Sequence, residues 1–263
     1  MTLAAAKPVD PLASDETAPV TSERVLVVIP TYNERDNIAA LLTALLALPL
    51  RLTVIVIDDN SPDGTADIAQ RAADASGRVV VLRRPGKLGI GSAYLEGFRY
   101  GLAHGFEVIV TMDADFSHDP QRLPGLVEAA RHADVVVGSR YCNGGAIRQW
   151  PLGRRVLSAG ANTLARLCLG LTVRDCTSGY RCYRRDVLAS FDLARIRSQG
   201  YSCLVELLFE CEANAWKIVE APIELVDRKF GVTKISRREV YKGAWTLMKL
   251  GMRRWQRRSP ASK

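Results

Sequence analysis

From residue 25 onward the chain alternates two kinds of stretch. Apolar runs rich in Val, Ile and Leu cover 25–29, 52–57, 78–82, 108–112 and 134–137, and they read as strands buried on both faces. Between them, about 34–48, 65–76, 90–104 and 119–132 carry apolar residues at helical spacing. Strands alternating with amphipathic helices predict an α/β fold, a mostly parallel central sheet with helices on both faces. Such sheets bind ligands beyond the carboxyl ends of their strands, so chemistry is expected in the residues that follow each strand. No internal repeat interrupts the pattern. The longest apolar run, 38–50, holds Thr43 and Pro49 and stops at Arg51, which is too short to span a bilayer.

All five predicted strands end in polar residues. The first runs into Pro30-Thr31-Tyr32-Asn33-Glu34, where Asn33 is placed to cap the next helix with Asp36 reaching back. The second meets Asp58-Asp59-Asn60-Ser61-Pro62-Asp63-Gly64-Thr65, a turn dense in carboxylates, and the fifth ends in Gly138-Ser139-Arg140-Tyr141. The third leads to Gly86-Lys87-Leu88-Gly89-Ile90-Gly91-Ser92. That loop has neither the spacing of a P-loop nor the third glycine of a dinucleotide fingerprint, and Lys87 or its backbone amides are left as nucleotide contacts. The fourth delivers Asp113-Ala114-Asp115-Phe116-Ser117-His118, and Asp119-Pro120 is placed to cap the helix after it. In an extended segment residues two apart share a face, so Asp113 and Asp115 are expected to point into one cleft. Two close carboxylates repel unless a proton or cation lies between them, and a hard divalent ion completed by substrate phosphates is a common solution. A solvated acidic turn is the bland alternative for one such pair. Polar residues at the same end of five successive strands favour a site.

Charge changes the picture at one end of the molecule. Of the 263 residues, nine Lys or Arg and one Glu fall between Lys234 and Arg258, a local balance equal to the whole chain's +8. In that segment Tyr241, Trp245, Met248, Met252 and Trp255 recur at helical spacing, flanked by Lys242, Lys249, Arg253 and Arg257. This is a basic amphipathic helix suited to a membrane surface. Packing of its stripe on the domain, or on a membrane-protein partner subunit, are the alternatives. The acidic cleft argues against nucleic acid as a partner. Residues 1–23, with neither the basic start nor the apolar core of a signal peptide, read as a disordered tail. The six cysteines form no CxxC pair and have no zinc spacing to His, and read as reduced packing thiols in a cytosolic protein.

Taken together and in order, four strand-end motifs are recognisable: Val27-Val28-Ile29-Pro30-Thr31-Tyr32-Asn33-Glu34, Ile57 to Thr65, Met112 to His118 and Gly138 to Tyr141. They resemble the inverting family-2 glycosyltransferases of GT-A fold. Asp175-Cys176-Thr177-Ser178-Gly179-Tyr180-Arg181, Gly200-Tyr201-Ser202 with Glu206, and Arg228 to Ser236 carry the resemblance toward the dolichyl- or polyprenyl-phosphate mannose synthases. The resemblance implies a donor wall of Pro30, Tyr32, Glu34, Asp58 and Asp59. It makes Asp113 and Asp115 the holders of Mg²⁺ or Mn²⁺ on the donor diphosphate. Ser117 stands where some relatives carry a further ligand, and His118 beside the helix cap is read as a structural histidine, with a place in the metal's shell as the alternative. Arg140, Arg154 or Arg155, Ser178, Arg228 and Lys234 match positions that meet phosphate oxygens, with Asp115, Arg140, Arg228 and Lys234 carrying the catalytic electrostatics.

The implied reaction moves mannose from GDP-mannose to a polyprenyl monophosphate with inversion, and UDP-glucose is the alternative donor. It places the protein at the cytoplasmic face of a membrane. The expected organisation is a tail at 1–23, a catalytic domain at 24–235, the basic helix at 236–258 and a second tail at 259–263.

Overall fold

A computed structural model describes residues 22–198, 200, 202–226 and 237–258, with side chains in the last helix described from Gly243 to Gln256. The five predicted strands form as β1 (Val25–Thr31), β2 (Leu52–Asp58), β3 (Val79–Arg83), β4 (Val108–Thr111) and β5 (Val135–Ser139). Helices α1 (Arg35–Leu46), α2 (Thr65–Ser76), α3 (Ile90–Ala103) and α4 (Leu123–Ala129) connect them. A 3-10 turn, Pro120–Arg122, leads into α4, and Asp119 caps it by accepting from the Gln121 N–H at 2.9 Å.

The second half adds β6 (Ala146–Ile147), α5 (Leu152–Leu169), β7 (Arg181–Arg184), α6 (Arg185–Ala189) and α7 (Ser202–Ala213). The described chain closes with β8 (Ile218–Pro222), β9 (Glu224–Leu225) and α8 (Arg237–Arg258). The main sheet has the order β3-β2-β1-β4-β7-β5-β8, and β6 and β9 form a separate ribbon. All pairings in the main sheet are parallel except those of β7, which runs against β4 and β5. The carboxyl ends of β1, β2, β4 and β5 therefore share one edge, and the residues just before β7 arrive at that same edge from the opposite direction.

Side-chain alternation along each strand splits the core into two layers. Leu26 and Val28 of β1, with Ile55 and Ile57 of β2, pack toward Tyr94 and Phe98 of α3 and Leu204 of α7. Val25, Val27 and Ile29, with Val54 and Val56, pack toward Ile38, Leu41 and Leu45 of α1 and Leu126 of α4. Helix α3 approaches β1 so closely that a Cβ on Gly97 would lie 2.3 Å from Val28 Cγ1.

All six cysteines are free thiols, and Cys176, Cys182, Cys203 and Cys211 are buried as the packing reading requires. Among the described residues no helix is long and apolar enough to cross a membrane. The tails expected at 1–23 and 259–263 fall outside the described residues apart from Ser22 and Glu23.

Candidate active site at the carboxyl edge of the sheet

The loop after β1 is held by its neighbour rather than by itself. Asn33, expected to cap α1, instead takes a left-handed φ of 57°, and Glu34 at the N-cap makes no side-chain cap bond. The N–H groups of Asn33, Glu34 and Arg35 donate to Ser61 Oγ, Thr65 Oγ1 and Asp63 Oδ2 at 3.0, 2.9 and 3.1 Å. The orphan donors of the helix start are thus satisfied from the turn after β2, which locks the two loops together. Asp58 and Asp59, expected along the donor wall, anchor this arrangement. Asp58 accepts from Thr31 Oγ1 at 2.7 Å and from the Ser61 N–H and hydroxyl at 2.8 and 2.6 Å. Asp59 forms a buried ion pair with Arg84 and accepts from the Gly89 N–H at 2.8 Å. Arg84 also donates to Ser92 Oγ at 2.8 Å and the Gly89 carbonyl at 3.0 Å, fixing the glycine-containing loop. On the outer side of that loop Lys87 Nζ sits 4.0 Å from the centre of the Tyr32 ring. Two residues expected at the donor are thereby brought together from different strand ends.

Asp113 and Asp115 lie in a turn after β4 rather than in an extended strand, and the charges of both act on the His118 imidazole. β4 ends at Thr111, and the following residues turn through Phe116 at a φ of 59°. The Asp113 N–H donates to His118 Nδ1 at 3.1 Å, and the Ser117 N–H donates to Asp115 Oδ1 at 3.0 Å, closing the loop on itself. Asp113 Oδ1 accepts from the Tyr94 hydroxyl at 3.0 Å. Burial holds the His118 imidazole below its ordinary value, against the opposing pull of the Asp113 and Asp115 charges. His118 is therefore a neutral loop-closing acceptor, and its ring stacks on Tyr180 with centroids 5.0 Å apart.

Gly179 completes the floor. A Cβ there would come within 3.3 Å of His118 Cε1, 3.4 Å of Asp113 Oδ1 and 3.5 Å of Tyr94 Oη. Two carboxylates with hard oxygen donors, kept clear by a glycine, fit a hard divalent cation. Among the described residues no third His, Cys, Asp or Glu joins them, so such an ion would draw its remaining ligands from substrate or water.

Arg140 follows the end of β5, with Asp113 among the charges that favour its ionised form. It is not a loose phosphate hook. Nε and Nη2 donate to Asp175 at 2.7 and 2.6 Å, and Nη2 donates to Thr177 Oγ1 at 2.7 Å. Burial works against both charges, yet the pair holds Asp175 below the usual carboxylate range and Arg140 above its ordinary value. Sequence reasoning quoted Asp175 within a motif without giving it this role. Helix α5 supports the same loop from behind, where Asn162 Oδ1 accepts from the Cys176 and Thr177 N–H groups at 2.7 and 3.2 Å.

Trp150 lies under both Arg140 and Arg154, whose Cζ atoms are 5.7 and 3.8 Å from its ring centre. Arg155 turns away and donates to the Ile147 carbonyl at 3.0 Å. Of the two adjacent arginines, Arg154 is the one that joins Arg140. Ser178 is buried, and its hydroxyl accepts from the Tyr180 N–H at 3.4 Å, serving the turn into β7. Arg228 and Lys234 lie outside the described residues.

The chain was compared with known proteins. A polyprenol monophosphomannose synthase of Mycolicibacterium smegmatis is 42% identical over 234 residues, spanning 88% of each chain. An undecaprenyl-phosphate mannosyltransferase of Micrococcus luteus is 45% identical over 213 residues, 81% of this chain and 88% of that one. Among solved structures, glucosyl-3-phosphoglycerate synthase of Mycobacterium tuberculosis, determined with Mn²⁺, uridine diphosphate and glucosyl-3-phosphoglycerate, superposes with a TM-score of 0.62. It shares 22% identity, and the match spans 89% of this chain and 80% of that one. Mannosyl-3-phosphoglycerate synthase of Rubrobacter xylanophilus gives 0.62 at 17% identity, spanning 92% of this chain and 77% of that one. These two likenesses establish the GT-A fold. With the glycosyl transferase family 2 model matching residues 26–191 and relatives this similar along most of both chains, the protein belongs to glycosyl transferase family 2.

Proposed function

We propose that the protein transfers mannose from GDP-mannose to a polyprenyl monophosphate, giving β-mannosyl phosphoryl polyprenol and GDP. The observation that carries this reading is the acidic turn of Asp113 and Asp115 at the sheet edge that also holds Arg140, in a chain 42% and 45% identical to two proteins named for polyprenyl-linked mannose transfer. In this reading Asp113 and Asp115 hold the donor's divalent cation, Mg²⁺ or Mn²⁺, with Ser117 as a further contact. That ion, when bound, neutralises charge developing on the leaving diphosphate. Pro30, Tyr32, Glu34 and Lys87 border the nucleotide, while Asp58 and Asp59 hold the loops that shape its pocket.

The acceptor end is basic because two phosphorylated substrates must approach each other. Arg140 and Arg154, with Arg228 and Lys234, receive the acceptor phosphate, and the buried Trp150 Nε1, which has no partner among the described residues, offers a further donor. No general base is required. A phosphate monoester has a second pKa of about 6, so its oxygen is already anionic near neutrality. That oxygen attacks the anomeric carbon as the bond to the diphosphate breaks, with inversion. We assign the catalytic unit to residues 24–235 and give α8 the task of holding the enzyme at the cytoplasmic face of the membrane that carries the acceptor.

The test is a transfer assay that offers GDP-mannose and UDP-glucose in turn to a polyprenyl phosphate, with and without EDTA. Metal-dependent transfer from GDP-mannose is expected, with Asp115→Ala lowering turnover at least 100-fold. Transfer from UDP-glucose alone, or near-normal turnover by the variant at saturating Mg²⁺ or Mn²⁺, would refute the assignment.

A further inference from the structure

One charged residue of the sequence motifs has no task in the reaction. Glu206, in the second turn of α7, is only 3% exposed. Burying a carboxylate is costly unless hydrogen bonds and an opposite charge meet it, and Glu206 has both. Its Oε2 accepts from the N–H groups of Arg197 and Ser198 at 3.2 and 2.9 Å. Its Oε1 accepts from the Arg253 guanidinium of α8 at 3.1 Å, and the same guanidinium reaches Glu210 at 3.1 Å. One carboxylate thus joins the segment before α7, α7 itself and α8.

The segment it holds backs onto the loop assigned to the nucleotide. Beyond Ser198, Gly200 packs together with Cys203 against the first turn of α3. A Cβ on Gly91 would lie 2.9 Å from Cys203 Cβ and 3.1 Å from the Gly200 carbonyl oxygen. The Cys203 thiol donates to the Gly91 carbonyl at 3.8 Å. Gly91 lies between Gly89, whose N–H is held by Asp59, and Ser92, whose hydroxyl is held by Arg84. The same loop sets Lys87 over the Tyr32 ring. Contact this close leaves no slack, so a displaced Gly200 must move Gly91 or part from it.

We propose that Glu206 is a positioning residue for the donor nucleotide. It fixes the segment before α7, that segment fixes the glycine-containing loop from behind, and Arg253 holds the carboxylate in place. Charge is needed as well as shape. A neutral amide could satisfy the two N–H groups, whereas the negative charge adds the tie to α8. The inference deepens the proposed function and rests on it in one respect: the loop from Gly86 to Ser92 borders the donor. It does not depend on which nucleotide the donor carries.

The test titrates the full chain with GDP and with UDP, each with Mg²⁺, by calorimetry. Donor KM and kcat are measured alongside with a short-chain, water-soluble acceptor. Arg253→Gln is expected to raise the nucleotide dissociation constant and the donor KM about three- to tenfold, with kcat at saturating donor unchanged. Glu206→Gln should act alike, and Arg253→Lys, which keeps the charge, should recover most of the loss. The Arg253 side chain is 40% exposed, so its variants carry the test if Glu206→Gln fails to fold. Arg254→Gln is the control. It removes another α8 cation, one that donates to the Leu167 and Cys168 carbonyls, and should leave nucleotide affinity unchanged. Amide exchange at Gly89 should quicken in Arg253→Gln and not in Arg254→Gln. Wild-type affinity in Arg253→Gln, an equal loss in Arg254→Gln, or a change confined to the acceptor KM would overturn the inference. A wild type that binds UDP alone, and is weakened by the same variants, would sink the GDP-mannose assignment and leave the role of Glu206 standing.

Discussion

At the scale of single residues, the site is built from charges that already have partners. Arg140 carries a positive charge into a nearly closed environment only because Asp175 meets it with both carboxylate oxygens. Removing one member of a buried pair leaves the other uncompensated, at a cost of about 3–5 kcal/mol. Asp175→Asn is therefore expected to lower unfolding stability by about that amount in urea titrations, well beyond the cost of losing an exposed surface pair. Thiols tell a similar story at the alkaline end. Burial pushes Cys176, Cys203 and Cys211 up to about 12, from an ordinary value of 9.0. Below pH 9 both folded and unfolded thiols are protonated, so this difference takes nothing from stability. As the pH rises from 9 toward 12, the unfolded chain ionises first and stability falls. Melting temperatures measured at pH 8, 9 and 10 should decline, with a shallower slope for Cys203→Ala. The carboxylates of the site were legible in the sequence, but their ties were not. Asp59 and Arg84 lie 25 residues apart, Tyr94 and Asp113 19, Arg140 and Asp175 35. Spacing along a chain carries no trace of such pairs.

Secondary-structure elements were readable wherever a single period dominated. Strands β1 to β5 and helices α1 to α3 fall within two residues of the positions that hydrophobic patterning predicts, because each strand is apolar on both faces and each helix on one. The second half blurs both periods. β7 is only four residues long and places the fully buried Arg181 at its start, where the guanidinium is satisfied by the carbonyls of Ser178, Cys176 and Leu204 and the Tyr183 hydroxyl. A cation inside a strand erases the apolar signal that would announce it. α7 is buried on nearly every side and α5 is apolar on two, so neither presents one hydrophobic stripe. At the α3–β1 contact the sequence does leave a mark, a glycine in mid-helix. Gly97→Ala must push Val28 aside, and overpacking of this kind costs about 1–3 kcal/mol. The midpoint of chemical denaturation should fall accordingly, while alanine at Gly153, which meets nothing within 4 Å, should leave it unchanged or raise it.

Across the whole molecule, the reversed strand inside the sheet, next to the central β4, has the widest reach. β7 bonds to β4 on one side and β5 on the other, so the segment carrying Asp175 and Gly179 and the turn carrying Asp113 and Asp115 hang from adjacent rungs of one ladder. Neither half of the site can open without unzipping the middle of the sheet. Native-state hydrogen exchange would register this as shared protection: the amides of Val110 and Cys182 should exchange only by global unfolding. Substrate pockets assembled on flexible loops gain rigidity when the ligand arrives. Here the floor of the pocket inherits its stiffness from the backbone ladder before any ligand is present, and nucleotide binding should change the exchange rates of those central amides very little.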